Sequence, residues 1–264
     1  NDVKDGAKAL IVGGGYIGLE AAAVARKMGV AVTVIEMADR ILQRVAAPET
    51  SDYFRDLHAQ NDVTILEKTG LTRLTGEGRV SGAELSDGTM LAVDFAIVGV
   101  GVTPNQSLAE MAGVTLDNGI SVNEFGQTSD STIWSAGDCA SFPYQGNRIR
   151  LESVQNAIDQ AEQIAANMLG EPTAYVPKPW FWSDQYDTKL QIAGLNTGYD
   201  QTVVRKGDKE GSQSVWYFKG DQLLAVDAMN DPRPYMIGKR MIEAGKSPTP
   251  AQVGDPTTDL KALM

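Results

Sequence analysis

One cysteine, Cys139, and one histidine, His58, are all that 264 residues contain of either. A single thiol supports no disulfide framework and no cysteine metal cluster. His58 follows Phe54 at helical spacing and is expected to be structural rather than catalytic. Long apolar runs are missing too. No stretch approaches the roughly 18 residues that a membrane-spanning helix needs, and no secretory signal pattern opens the chain. Base is scarce, with 23 Lys and Arg against 34 Asp and Glu, a net charge of −11. That balance argues against nucleic acid and anionic membrane as partners. The acidic surplus lies ahead of residue 173, and the remainder is neutral. The cytoplasm is the expected compartment. The length accommodates two domains and a substantial core. Residue 1 is Asn rather than Met, so a processed chain or a fragment is expected.

What the chain does have is concentrated in residues 8–20. An apolar run, Ala9 to Val12, breaks into Gly13, Gly14 and Gly15 and continues as a helical pattern through Tyr16, Ile17, Gly18 and Glu20. Gly13, Gly15 and Gly18 occupy the glycine places of the G-x-G-x-x-G dinucleotide fingerprint. Gly13 allows the tight turn, Gly15 admits a pyrophosphate to the backbone, and Gly18 brings the helix close to a sheet. The N–H groups of Tyr16 and Ile17 then point at the phosphates, helped by the helix dipole. Glycines also gather at turns for packing alone, so the flanks decide. Ala21, Ala22, Ala23 and Ala25 give the helix a thin face, and a β-branched run from Ala31 ends in Glu36 at βαβ spacing. An acid there accepts hydrogen bonds from ribose hydroxyls and repels a 2′-phosphate, which selects NAD over NADP.

A helix is expected over Glu49 to Gln60 and a strand over Val63 to Leu66. Residues 70–93, punctuated by Gly76-Glu-Gly78 and Asp87-Gly88, read as an antiparallel meander. A buried strand from Phe95 runs into Gly101-Val-Thr-Pro104, bare backbone where nucleotides bind an open sheet; glycine and proline also simply end strands. Thr132 to Ser135 is expected to be a strand delivering Gly137 and Asp138, whose carboxylate suits sugar-alcohol hydroxyls, with a plain Gly-Asp turn as the alternative. Cys139 beside them reads as a small buried filler.

Ser153 is the expected N-cap of a helix with an apolar stripe of Val154, Ala157, Ile158, Ala161, Ile164, Ala165 and Met168. Prolines 172, 177 and 179 mark a linker. Short strands follow, with Gly220-Asp221 as a two-residue hairpin turn, then a helix near Tyr235 to Glu243. Between Arg79 and Lys178 the only basic residues are Arg148 and Arg150, the expected docking charge for an acidic partner. The fold class is α/β: Rossmann-type nucleotide-binding domains, then a smaller α+β C-terminal domain. Its domains are expected at 1–120, 121–172 and 173–264.

Three passages, Val12 to Glu20, Thr128 to Asp138 and Pro179 to Tyr186, resemble the NADH-dependent ferredoxin reductases of the putidaredoxin reductase type. The run Trp180-Phe-Trp182-Ser-Asp-Gln is much more specific than any dinucleotide fingerprint. The resemblance implies NADH at the first passage, the FAD ribityl chain at the second, and a C-terminal domain covering the flavin at the third. It implies an enzyme that passes electrons from NADH through flavin to a 2Fe-2S ferredoxin serving an oxygenase. It also implies that Glu20 faces the nicotinamide, that the helix start at Ser153 and Val154 points at the flavin, and that Trp182 shields it. A solvated carboxylate and a packing tryptophan are the plainer alternatives. That family opens with a further G-x-G-x-x-G unit not found here, so the chain is expected to lack an N-terminal half-domain. Two other functions share the fold: a flavin-dependent disulfide reductase, and a non-enzymatic NADH-binding protein resembling apoptosis-inducing factor. The missing Cys-x-x-Cys and C-terminal His-Glu pair count against the former.

Overall fold

Residues 3–170 and 172–264 are described by a computed structural model. They gather into two compact units, one of the residues up to Gly101 with Trp182–Met264, the other of Val102–Phe181.

The first unit begins as a βαβ crossover. β1 (Lys8–Val12), α1 (Tyr16–Lys27) and β2 (Ala31–Ile35) are followed by α2 (Pro48–Gln60) and β3 (Thr64–Leu66). The antiparallel meander of β4 (Leu71–Thr75), β5 (Gly82–Leu85) and β6 (Met90–Ala92) then leads to β7 (Phe95–Val98). β3, β2, β1 and β7 form a parallel sheet in that order, with Leu10 opposite Thr33 and Ala96. Alternation along the strands divides the apolar residues between two faces. Leu10, Val12 and Ile35 meet Ala83, Leu85 and Val93 of the meander, making one core cluster. On the other face lies α1, whose Leu19, Ala22 and Ala23 are buried. Burying side chains of this kind contributes about 25 cal/mol per Å² of apolar surface removed from water.

The second unit contains α3 (Ser107–Met111), β8 (Ile120–Ser121), β9 (Ala140–Tyr144), β10 (Asn147–Ile149) and α4 (Val154–Met168). Its small sheet runs β10-β9-β8. Two expectations fail in it. Thr132 to Ser135 is not a strand: Trp134 makes only an isolated bridge to Gln127, and Asp130 turns the chain by accepting from Thr132 N–H. Gly137–Cys139 is a 3₁₀ turn that precedes β9 instead of following a strand. The apolar stripe of α4 is divided between surface and interior. Val154, Ile158 and Met168 are exposed, while Asn156, Gln160, Ile164 and Asn167 are buried. The buried amides satisfy loop backbone that has no ladder: Gly137 N–H donates to Gln160 Oε1 at 2.8 Å, and Asn167 Nδ2 donates to the carbonyls of Phe125 and Thr173.

The chain re-enters the first unit along β11 (Trp180–Gln185). β12 (Thr188–Gly194), β13 (Gln201–Lys206), β14 (Gln213–Lys219) and β15 (Gln222–Met229) complete an antiparallel sheet in the order β11-β12-β15-β14-β13, with Gly220-Asp221 turning β14 into β15. α5 (Pro232–Glu243) packs Ile237 and Met241 against Trp216, Phe218 and Val226. α6 (Pro250–Gly254) adds Val253 to the same core. The opposite face of this sheet meets α2. There Thr50 Oγ1 donates to Asp227 Oδ2 at 2.8 Å, and Ala47 N–H donates to the Tyr217 hydroxyl at 3.0 Å. Among the described residues no helix is long and apolar enough to cross a membrane.

Candidate nucleotide site

The loop between β1 and α1 is shaped by what its glycines touch. A Cβ on Gly13, where φ is +108°, would sit 2.3 Å from the Gly99 carbonyl oxygen; one on Gly18 would sit 2.0 Å from that of Gly13. A Cβ on Gly14 would come within 2.7 Å of Ile41. These three glycines are required by the protein's own packing. Gly15 differs, since a Cβ there would meet nothing within 4 Å. It is also the N-cap of α1, and no side chain caps the helix. The first N–H groups of a helix have no intrahelical partner, so this end offers donors and positive dipole to an anion.

Glu36, at the end of β2, fastens the loop. Its Oε2 accepts from Gly14 N–H at 2.7 Å and its Oε1 from Ala38 N–H at 2.8 Å. Each oxygen keeps a lone pair for a further donor such as a ribose hydroxyl. Gly101, where φ is +110°, lies in the same unit, and Arg44 Nη2 is 3.8 Å from where its Cβ would be. Arg44 is exposed, and no sequence pattern marked it; its guanidinium lies beside Gly101. Pro104 falls in the second unit.

Glu20 is half-buried one turn into α1, and its Oε1 accepts from Ser183 Oγ of β11 at 2.6 Å. Gln185 Nε2 donates to Ser183 Oγ at 3.1 Å. Gln185 Oε1 stands 2.8 Å from His58 Nε2, and Tyr186 Oη stands 3.1 Å from His58 Nδ1. Burial holds the His58 imidazole below its usual pKa and pushes the Tyr186 phenol up to about 12. Tyr16 is half-buried, yet its hydroxyl is buried without a hydrogen-bond partner among the described residues. Burial, then the nearby charge of Asp227, raises that phenol well above its ordinary value. Trp182 on β11 is 42% exposed, unlike the fully buried Trp216.

In the second unit Gly137 adopts φ +77°, and its Cβ position lies 3.4 Å from Ala157 of α4. Asp138 is exposed, and no partner for its carboxylate is found among the described residues. Ser153 occupies the N-cap of α4 without capping it; its hydroxyl donates to the Trp180 carbonyl at 3.2 Å. Cys139 is half-buried rather than a core filler. Arg148 and Arg150 are not free docking charges. Arg148 donates to the carbonyls of Val122 and Ser141, and Arg150 donates to that of Asp138 and pairs with Glu152 at 2.6 Å. The first unit thus assembles Gly13, Gly14, Gly15, Tyr16, Ile17, Gly18, Glu20, Glu36, Gly101 and Trp182, and the second holds Pro104, Gly137, Asp138, Ser153 and Val154.

Residues 1–161 match the pyridine nucleotide-disulphide oxidoreductase family, and residues 180–264 match the reductase C-terminal domain. Rhodocoxin reductase of Rhodococcus erythropolis is 42% identical over 255 residues, covering 96% of this chain and 60% of the relative. Putidaredoxin reductase CamA of Pseudomonas putida is 41% identical over 260 residues, covering 97% and 62%. Among solved structures, the covalent putidaredoxin reductase–putidaredoxin complex superposes with a TM-score of 0.94 at 40% identity, covering 99% of this chain and 64% of the other. A ferredoxin reductase from Rhodopseudomonas palustris also gives 0.94, at 42% identity, covering 98% and 65%. The chain therefore spans less than two thirds of the length of these relatives.

Proposed function

Since the chain belongs to the pyridine nucleotide-disulphide oxidoreductase family, we propose that it acts within an FAD-dependent NADH:ferredoxin reductase. Such an enzyme passes electrons to a 2Fe-2S ferredoxin that serves an oxygenase, and the cytoplasm is its proposed compartment. The observation that carries the proposal is the joining, in one chain, of the open glycine loop over β1 and α1 to the reductase C-terminal domain. NADH:ferredoxin chemistry requires two-electron hydride acceptance and one-electron release, which a bound flavin supplies.

The residues present fit both nucleotides. For NADH, the open space at Gly15 and the uncapped start of α1 suit a pyrophosphate, with Tyr16 and Ile17 N–H as donors. Arg44 would add positive charge, and Glu36 would accept from the adenosine ribose through its spare lone pairs while disfavouring a 2′-phosphate. Glu20, on the next turn of α1, would stand on the nicotinamide side. For FAD, the exposed Asp138 carboxylate would accept from ribityl hydroxyls, and Gly137 keeps that backbone free of side chain. The start of α4 at Ser153 and Val154, which no side chain caps, would direct its positive end toward the flavin. Trp182 would exclude water from the flavin. The exposed Val154, Ile158 and Met168 would be covered by further protein of the kind the longer relatives contain. The proposed division remains 1–120 for NADH, 121–172 for part of an FAD domain, and 173–264 for the reductase domain.

The test is electron transfer by the full-length protein. NADH should reduce its flavin, and two equivalents of a 2Fe-2S ferredoxin should be reduced per NADH, while thioredoxin and glutathione disulfides stay oxidised. Disulfide reduction without ferredoxin reduction, or NADH binding without electron transfer to any acceptor, would overturn the assignment.

A further inference from the structure

His58 is the only histidine in 264 residues, fully buried, and not adjacent to any residue assigned a nucleotide contact. Its surroundings nonetheless lead to one. Four hydrogen bonds join Tyr186, His58, Gln185, Ser183 and Glu20 in series, at 3.1, 2.8, 3.1 and 2.6 Å. Ser183 and Gln185 are buried with His58, while Tyr186 and Glu20 form the two half-exposed ends.

The direction of the series follows from the charge at one end. An ionised Glu20 only accepts, so the Ser183 hydroxyl must spend its single proton on Glu20. Ser183 Oγ is then an acceptor and takes a proton from Gln185 Nε2. That orientation turns the Gln185 carbonyl oxygen to His58, so Nε2 of the imidazole must carry its hydrogen. Neutral imidazole has one hydrogen, which leaves Nδ1 as an acceptor for the Tyr186 phenol. Every buried polar atom of the five is satisfied, and every donor points toward Glu20. The reverse series also closes, but only with Glu20 protonated, the Gln185 amide turned over and the hydrogen on Nδ1 of His58. With Glu20 as an acceptor, turning over the Gln185 amide alone would set its carbonyl oxygen against a Ser183 oxygen that has no proton left to give, which is costly.

From this geometry we infer that Ser183, Gln185 and His58 are positioning residues for Glu20. They hold its carboxylate aimed in one direction, and the tautomer of His58 records that orientation. The inference rests on the proposed place of Glu20 beside the nicotinamide. Charges at the Tyr186 end of the series have other partners: Lys27 donates to the Tyr186 carbonyl at 2.8 Å, and Arg26 pairs with Asp62 at 2.9 Å. Neither faces Glu20 in these contacts, so the carboxylate depends on the hydroxyl of Ser183 for its orientation.

The experiment uses the full-length protein in two independent arms. In the first, ¹⁵N-histidine labelling, with the His58 signal assigned by its loss in His58→Gln, reports which ring nitrogen is protonated. Nε2–H alone at pH 7 is expected, with a mixture of tautomers in Ser183→Ala. Nδ1–H in the wild type, or no change in Ser183→Ala, overturns the inference. In the second arm, the NADH dissociation constant and the rate of flavin reduction are measured for Glu20→Gln, Ser183→Ala and the double variant. Ser183→Ala should weaken one of them by about fivefold, the scale of a single hydrogen bond, and should add less than about twofold in the Glu20→Gln background, the sign of a coupled pair. Full additivity overturns the positioning role. If Glu20→Gln itself changes neither quantity, the nicotinamide assignment of Glu20 has failed, and the tautomer arm still decides whether the series is directed.

Discussion

Asp227 should make this protein more stable in acid than in base, against the usual behaviour of a carboxylate. It lies on β15 in the face that meets α2, fully buried, with the Tyr217 and Thr50 hydroxyls donating to one of its oxygens. Burial raises its pKa from 3.8 to about 6, and the two hydroxyl donors oppose that rise without cancelling it. The folded state therefore binds the proton more tightly than the unfolded chain. Stability from this group is fully present below pH 3.8 and is lost as pH rises through 6. At about 1.36 kcal/mol per unit, the full effect is about 3 kcal/mol, of which roughly half falls between pH 5 and pH 8. Asp227→Asn removes the titration while keeping an acceptor for Tyr217 and Thr50. Urea unfolding of both full-length proteins at several pH values between 4 and 8 gives a difference in stability from which other titrating groups cancel. Wild type should lose about 1.4 kcal/mol relative to the variant between pH 5 and pH 8. A difference that stays flat across that range would refute the argument.

The second and third glycines of the fingerprint should fail in different ways. Gly18→Ala places a methyl 2.0 Å from the Gly13 carbonyl and should lower stability by about 1–3 kcal/mol or more, measured by denaturant unfolding. Gly15→Ala meets nothing, so it should leave stability unchanged while weakening NADH at least several-fold in a binding titration; equal losses of stability in the two would refute the division. Glu36→Ser should raise the NADPH to NADH ratio of kcat/KM and, because Gly14 and Ala38 lose their acceptor, lower stability by about 1–3 kcal/mol. Both cofactors shifting by the same factor, with stability unchanged, would leave Glu36 without either role.

The parallel sheet, the meander and the Gly220-Asp221 hairpin were legible because their signals are local. A β-branched run that breaks into glycine, or two apolar runs separated by a turn, carries its own instructions over a few residues. The buried face of α4 was not legible, for the opposite reason. Periodicity counts apolar side chains, yet the buried face of α4 is made of amides whose partners are loop carbonyls such as Phe125 and Thr173. Asp130 likewise turned an apparent strand into an Asx turn, a competition between side chain and ladder that composition does not weigh. Glu20 was singled out by the family resemblance; its partner Ser183 lies 163 positions away, and no periodicity reaches that far. His58 was read as structural, and nothing near it in sequence revealed that Gln185 and Tyr186 would take its two nitrogens.

α2 also carries a consequence for synthesis on the ribosome. Thr50, the backbone N–H of Ala47 and His58 find their partners on Asp227, Tyr217 and Gln185, separated from them by 177, 170 and 127 residues. At roughly 5–20 residues per second, the helix waits on the order of ten seconds or more after emerging before those partners exist. During that interval the nucleotide sheet can form, but one side of α2 stays wet and its polar groups are satisfied only by water. Translation pauses placed before the last strands would lengthen that exposure. The early-made half is then the natural client of a chaperone that shields an unfinished surface until β14 and β15 arrive.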